Sequence, residues 1–199
     1  MKDLKKKYLF LMVIVIIGIV MGVIFANVLS VDDERLVYTK ITEYFNNLKN
    51  DVSINYFTNF ITILKNNYIY LIVIWILGLS IIGLLFNNFI IFFKSFILGF
   101  SIGSIINIYL YSGLVLAFFY VFPCMIINLF ILIIMTYYAN NFSLKLFEVL
   151  FKKKEYKFAP LIKKYSKILG VFLVFFIISG LFETFITPMI LKLFSFLIK

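Results

Sequence analysis

The chain has 199 residues, of which 64% are hydrophobic, 20% aromatic and only 14% charged. These proportions exclude an ordinary water-soluble domain and place the chain in the membrane class. The net charge of +10 does not argue for nucleic acid, because the lysines form no basic folded surface and follow the pattern of membrane orientation instead.

A basic start, MKDLKKK, leads into a 22-residue apolar run from Tyr8 to Leu29. A signal peptide has an apolar region of about 7–15 residues, so 8–29 is expected to be a retained first crossing of a hydrocarbon layer roughly 30 Å thick. Gly18 and Gly22 form a GxxxG pair, which lets another helix approach closely. Ser30, followed by Asp32, Asp33 and Glu34, has the form of an N-cap with acids in the first turn. Residues 30–67 read as an extracytoplasmic amphipathic pair. Val37, Ile41, Tyr44 and Phe45 mark one apolar stripe; beyond a turn at Asn50-Asp51, Phe57 and Ile61 mark a second. Two such helices cannot fold alone in water and must lie on lipid, on the bundle or on a partner. Their apolar faces, with Pro188, form the expected partner-binding surface.

Tyr68 to Asn140 is the longest apolar stretch, and Lys94 is its one group charged at neutral pH. It has room for three helical crossings, expected at 68–88, 95–111 and 114–138. Asn87-Asn88 is expected at the inner interface, with 89–95 either a bent continuation of the helix or a shallow elbow around Lys94. Gly99, Ser101, Gly103, Ser104 and Asn107 give the third crossing a face suited to helix packing, with Gly99 and Gly103 allowing the closest approach. Ser112-Gly113 reads as a turn, and Pro123 interrupts the fourth crossing. Residues 140–167 read as a basic cytoplasmic loop and 168–186 as the fifth crossing. Thr187-Pro188 has the form of an N-cap with proline at the first helical position, predicting a short interfacial helix over 188–199. The expected fold class is an all-α polytopic membrane protein, with about five transmembrane helices plus short amphipathic interfacial helices, forming a single domain over 1–199.

With this layout Lys2, Lys5, Lys6, Lys7, Lys94 and eight lysines between Lys145 and Lys167 lie on one side. Arg35, Lys40, Lys49, Lys65, Lys192 and Lys199 lie on the other. The N-terminus is therefore expected on the cytoplasmic side.

Glu183 is the one acid in an apolar setting. Counting along the helices puts Glu183 and Asn107 at similar heights, with Ser104 on the same helix as Asn107 and the backbone at Pro123 deeper in the outer half. They are expected to meet in one polar cluster, serving as a hydrogen-bonded lock or as a coupling site. Catalysis is poorly served. An intramembrane aspartyl site needs two aspartates in lipid, and those present fall at residues 3, 32, 33 and 51. Zinc and serine types rely on histidine, which is absent. The lone Cys124 lies in an apolar run, which leaves no disulfide framework or thiolate metal site, and no glycine-rich phosphate loop appears. The chain is expected not to be an enzyme and to carry no cofactor or metal. A small-molecule or ion transporter or channel is the alternative, although five crossings do not divide into equal repeats.

The segments GVIFANVLS (22–30), WILGLSIIG (75–83), FFKSFILGFSIG (92–103), FPCMIIN (122–128) and SGLFETFITPMIL (179–191) together resemble the stage II sporulation protein M family. They occur in that family's order and spacing over nearly the whole chain. The resemblance implies a membrane protein of endospore formation, at the mother-cell septal or engulfing membrane during forespore engulfment. It also implies a non-enzymatic anchor for two peptidoglycan hydrolases, the stage II sporulation proteins D and P, with no catalytic residue to carry over. Wider relatives carry Pro-His-Gly followed by glutamate where this chain has Pro123-Cys124-Met125, so any activity of theirs does not transfer. The expected partners are membrane lipids, the two hydrolases and a second copy of the chain as a homodimer, without nucleic acid.

Overall fold

The computed structural model describes residues 2–49, 55–121 and 124–194. Its elements are α1 (Lys2–Ala26), α2 (Val31–Lys49), α3 (Tyr56–Gly78), α4 (Gly83–Val121), α5 (Cys124–Lys152) and α6 (Phe158–Leu193). All but α2 are long and apolar enough to cross a membrane, and their apolar outer faces suit contact with lipid.

Helix α4 is two rods rather than one. Leu110 has φ 49° and ψ −124°, and the chain doubles back at that residue. A Cβ on Gly113 would stand 2.6 Å from the Ile105 carbonyl oxygen, and Leu116 and Ala117 pack with Ile105. The five crossings are thus α1, α3, α4 as far as Tyr109, the returning 111–121 continued by α5, and α6. The hairpin falls two residues before the expected Ser112-Gly113 turn. Pro123 and the Asn50-Asp51 turn lie outside the described residues.

Turn chemistry moves the second crossing. Asn55 caps α3, its side chain accepting the Thr58 N–H at 3.1 Å. The expected second amphipathic helix is therefore the first half of a crossing. At the other end Ser80 donates to the Leu77 carbonyl and accepts the Gly83 N–H, at 3.0 and 3.2 Å. A Cβ on Gly83 would lie 1.8 Å from the Leu77 oxygen, so only glycine fits. The reversal sits at 79–82 rather than at Asn87-Asn88, and 89–95 is continuous helix rather than an elbow. Asn55→Ala is expected to lower stability by about 1 kcal/mol, read as a lower Tm in detergent, with Asn59→Ala as the uncapped comparison.

The basic end differs from expectation too. Helix α5 runs to Lys152 and α6 starts at Phe158, which leaves a five-residue linker in place of the loop over 140–167. Helix α6 passes through Pro188 without a break, so Thr187 is not an N-cap; its hydroxyl donates to the Cys124 sulfur at 3.6 Å. Burial of Pro188 and Leu191 against the bundle offsets the main-chain bond that the proline removes. Residues 195–199 lie outside the described residues.

Two GxxxG pairs face each other across α1 and α4. A Cβ on Gly18 would stand 2.7 Å from the Phe92 oxygen, on Gly22 2.1 Å from the Phe96 oxygen, and on Gly99 2.1 Å from the Ile19 oxygen. Gly103 lies against Val23 and Ala26. The glycines thus join two helices of one chain. At the far end Ser30 caps α2 as expected, its hydroxyl accepting the Asp33 N–H at 3.3 Å. Phe45 and Leu48 of α2 pack with Ile105, Leu116 and Leu191, which seats this helix over one end of the bundle.

Candidate functional site

Asn67 stands eleven residues from either end of α3, about 16 Å along the axis. Lys94 stands eleven residues after Gly83 on α4, and so reaches the same mid-bundle level. There Asn67, Lys94, Asn128 and Glu183, one from each of four helices, line a cavity of about 90 Å³ together with Ser101. The Asn128 amide donates to the Glu183 carboxylate at 2.9 Å, and its carbonyl accepts the Ser179 hydroxyl at 2.6 Å. Asn128 is thereby fixed in orientation and aims a donor at the acid. The Lys94 ammonium stands 4.4 Å from the Tyr70 ring centroid, a cation–π contact worth about 0.5–2 kcal/mol.

Lys94 and Glu183 share this cavity without direct contact. Among the described residues, the ion pairs within 4.0 Å are made by Glu43 and Glu148 near the ends of the bundle. An isolated charge in mid-bilayer costs at least about 2.5–3.5 kcal/mol, so each charge gains from the other's proximity. One to two turns towards the basic end, every helix around the cavity contributes a fully buried apolar side chain: Leu71 and Ile74, Ile91, Leu132 and Met135, and Phe176, each 0% exposed.

Towards the α2 end lies a larger groove of about 390 Å³, between α2 and the upper half of α4. Ile41, Phe45 and Phe100 give it apolar walls, while Tyr44, Ser104 and Tyr120 bring hydroxyls. Ser104 is 4% exposed and its hydroxyl has no protein partner. Although Tyr44 is 41% exposed as a residue, desolvation within the groove raises its phenol above its ordinary pKa, and Tyr120 and the Glu183 carboxylate add to that. Ser101 lines both the groove and the mid-bundle cavity.

The expected cluster is therefore divided. Glu183 lies in the cavity and Ser104 in the groove. Asn107 donates instead to the Ala26 carbonyl at 3.2 Å, closing the last turn of α1. Pro123 is not among the described residues. Lys94, Asn67, Asn128 and Ser179 were not anticipated, although Asn87, Lys94 and Ser101 recur every seven residues, a polar stripe at two-turn spacing. In the expected contact surface Phe45 and Pro188 are buried, Val37 and Ile41 half-buried, and Tyr44, Phe57 and Ile61 exposed. Phe45 and Pro188 are thus committed to the bundle and cannot meet a partner.

Fold and site together define an all-α multi-pass membrane protein with opposite charges held in its interior. The family model for stage II sporulation protein M matches residues 11–188, and the chain belongs to that family, as a sporulation-related membrane protein. No curated protein and no solved structure is matched.

Proposed function

We propose that this protein is a non-enzymatic membrane scaffold of endospore formation. In this reading it recruits and positions the peptidoglycan hydrolases, the stage II sporulation proteins D and P, for septal thinning and engulfment in the mother-cell septal membrane. The observation that carries the reading is α2. It is the one described helix that cannot span a membrane, yet Phe45 and Leu48 seat it firmly on the bundle. Its outward face leaves Asp32, Arg35, Thr39 and Glu43 exposed. The lysines before Tyr8 and those from Lys145 to Lys167 gather at the other end, which supports a cytoplasmic basic end and an extracytoplasmic α2, on the side of the cell wall.

The double variant Arg35→Glu, Thr39→Arg changes two exposed positions one turn apart and leaves untouched the residues of α2 that pack on the bundle or line the groove. Its co-purification with the D and P proteins is expected to fall at least about tenfold, or 1.4 kcal/mol. Full retention of both partners by a monodisperse variant would remove α2 as the docking surface. Deletion of 31–65 is a poorer test, because it takes away the first ten residues of the crossing α3. A transporter or channel is the second reading, favoured by the Lys94–Glu183 cavity, and it requires solute or ion flux in reconstituted vesicles.

A further inference from the structure

We propose that the groove beneath α2 and the mid-bundle cavity form one water-filled vestibule, open at the α2 end, which hydrates Lys94 and Glu183 and ends on an apolar plug. The ligand of this site is water, bridging the ammonium to the carboxylate.

Four observations support it. The cavity is roomy and polar enough: 90 Å³ compares with about 30 Å³ for a water in the liquid, and Lys94, Glu183, Asn67 and Asn128 supply partners on every side. Ser101 is a common wall of the two spaces, and it precedes Ser104 by one helical turn on the route to the groove. The buried Ser104 hydroxyl lacks a protein partner, a loss of about 1–3 kcal/mol unless water reaches it. On the basic side the route stops at Leu71, Ile74, Ile91, Leu132, Met135 and Phe176, members of one packed cluster with no exposed surface; Thr136 is buried as fully, and its hydroxyl also has no protein partner. Asn87 lies beyond that layer, two turns below Lys94 on the same stripe.

Cys124 is the only cysteine, so a Cys124→Ser background allows thiols to be placed one at a time in the full chain. Ser104→Cys, Ser101→Cys, Met135→Cys and Asn87→Cys would be treated with a membrane-impermeant, positively charged methanethiosulfonate, added to either side of reconstituted vesicles. Only a hydrated thiol ionises readily. The first two are therefore expected to react from the α2 side at least about tenfold faster than Met135→Cys, the effect of one pKa unit in thiolate fraction. Asn87→Cys is expected not to react from the α2 side. Reaction of Ser104→Cys without Ser101→Cys would confine water to the groove and overturn the joined vestibule. If neither reacts while Thr39→Cys on exposed α2 does, the vestibule is dry. Rapid reaction of Asn87→Cys from the α2 side would replace a blind vestibule with a through passage. Elution of each variant at the parent position in size exclusion excludes misfolding as the source of any outcome.

Discussion

Gly22→Leu is expected to separate α1 from α4 and to give one of the largest losses of stability of any single substitution in the bundle. The Cβ alone would stand 2.1 Å from the Phe96 oxygen, 2.6 Å from the Phe100 nitrogen and 3.0 Å from the Gly99 carbonyl carbon. All three are backbone atoms, so no rotamer change relieves the clash and the helices must part. Overpacking against movable side chains costs about 1–3 kcal/mol, and a clash between two backbones belongs at or above the top of that range. Gly170→Leu is the control, since nothing lies within 4 Å of a Cβ at that position. Thermal unfolding in detergent should show a large fall in Tm, or an aggregated protein, for Gly22→Leu and little change for Gly170→Leu. Equal behaviour of the two variants would mean that α1 does not dock on α4 as described.

Neutralising one member of the interior charge pair is expected to do more harm than neutralising both. Lys94→Met leaves the Glu183 carboxylate with the Asn128 amide as its protein partner, and Glu183→Gln leaves the ammonium with the Tyr70 ring. Each single variant is expected to lose about 2–4 kcal/mol, somewhat less than the roughly 3–5 kcal/mol for breaking a buried pair in direct contact, because these two charges do not touch. The double variant places two neutral groups in the cavity, keeps an acceptor for Asn128, and should recover at least half of the loss. Unfolding of the four proteins in detergent gives the coupling energy directly. Strictly additive losses would show that the two charges do not sense one another across the cavity.

The number of crossings and their alternation were legible because apolar length alone sets them, whereas their ends depended on single residues. Asn55 reads as a cap only once the apolar pattern after it is taken as one 23-residue helix, which is the length of α3. Starting the crossing at Tyr68 instead left Asn67 at an interface and hid its place in mid-bundle. In the same way, Ser80 and Gly83 make the reversal through two short hydrogen bonds and one missing Cβ, a signal much fainter than the paired asparagines 87 and 88. Moving that reversal by several residues carries Lys94 from the membrane surface into the core. Glu183 was recognisable as a buried acid from its neighbours alone. Its partner was not, because which helix faces α6 is a property of packing rather than of any one segment. The glycine pairs were visible as packing motifs, and the structure shows that they join two helices of one chain.

The stub at the basic end has a mechanical meaning. The Ser143 hydroxyl bonds the Gly78 carbonyl at 3.1 Å, which marks the level of the α3–α4 turn. From there α5 continues nine residues to Lys152, about 13 Å, enough to pierce a headgroup layer of about 5–8 Å. Lys152, Lys153, Lys154, Lys157, Lys163 and Lys164 are exposed around this rigid tip. A pull on the opposite end, such as a tethered wall enzyme would exert, must drag those cations into hydrocarbon before the molecule can slip, at about 2.5–3.5 kcal/mol for each that reaches the midplane. The stub works like the head of a rivet, and tension on α2 is borne by the whole bilayer.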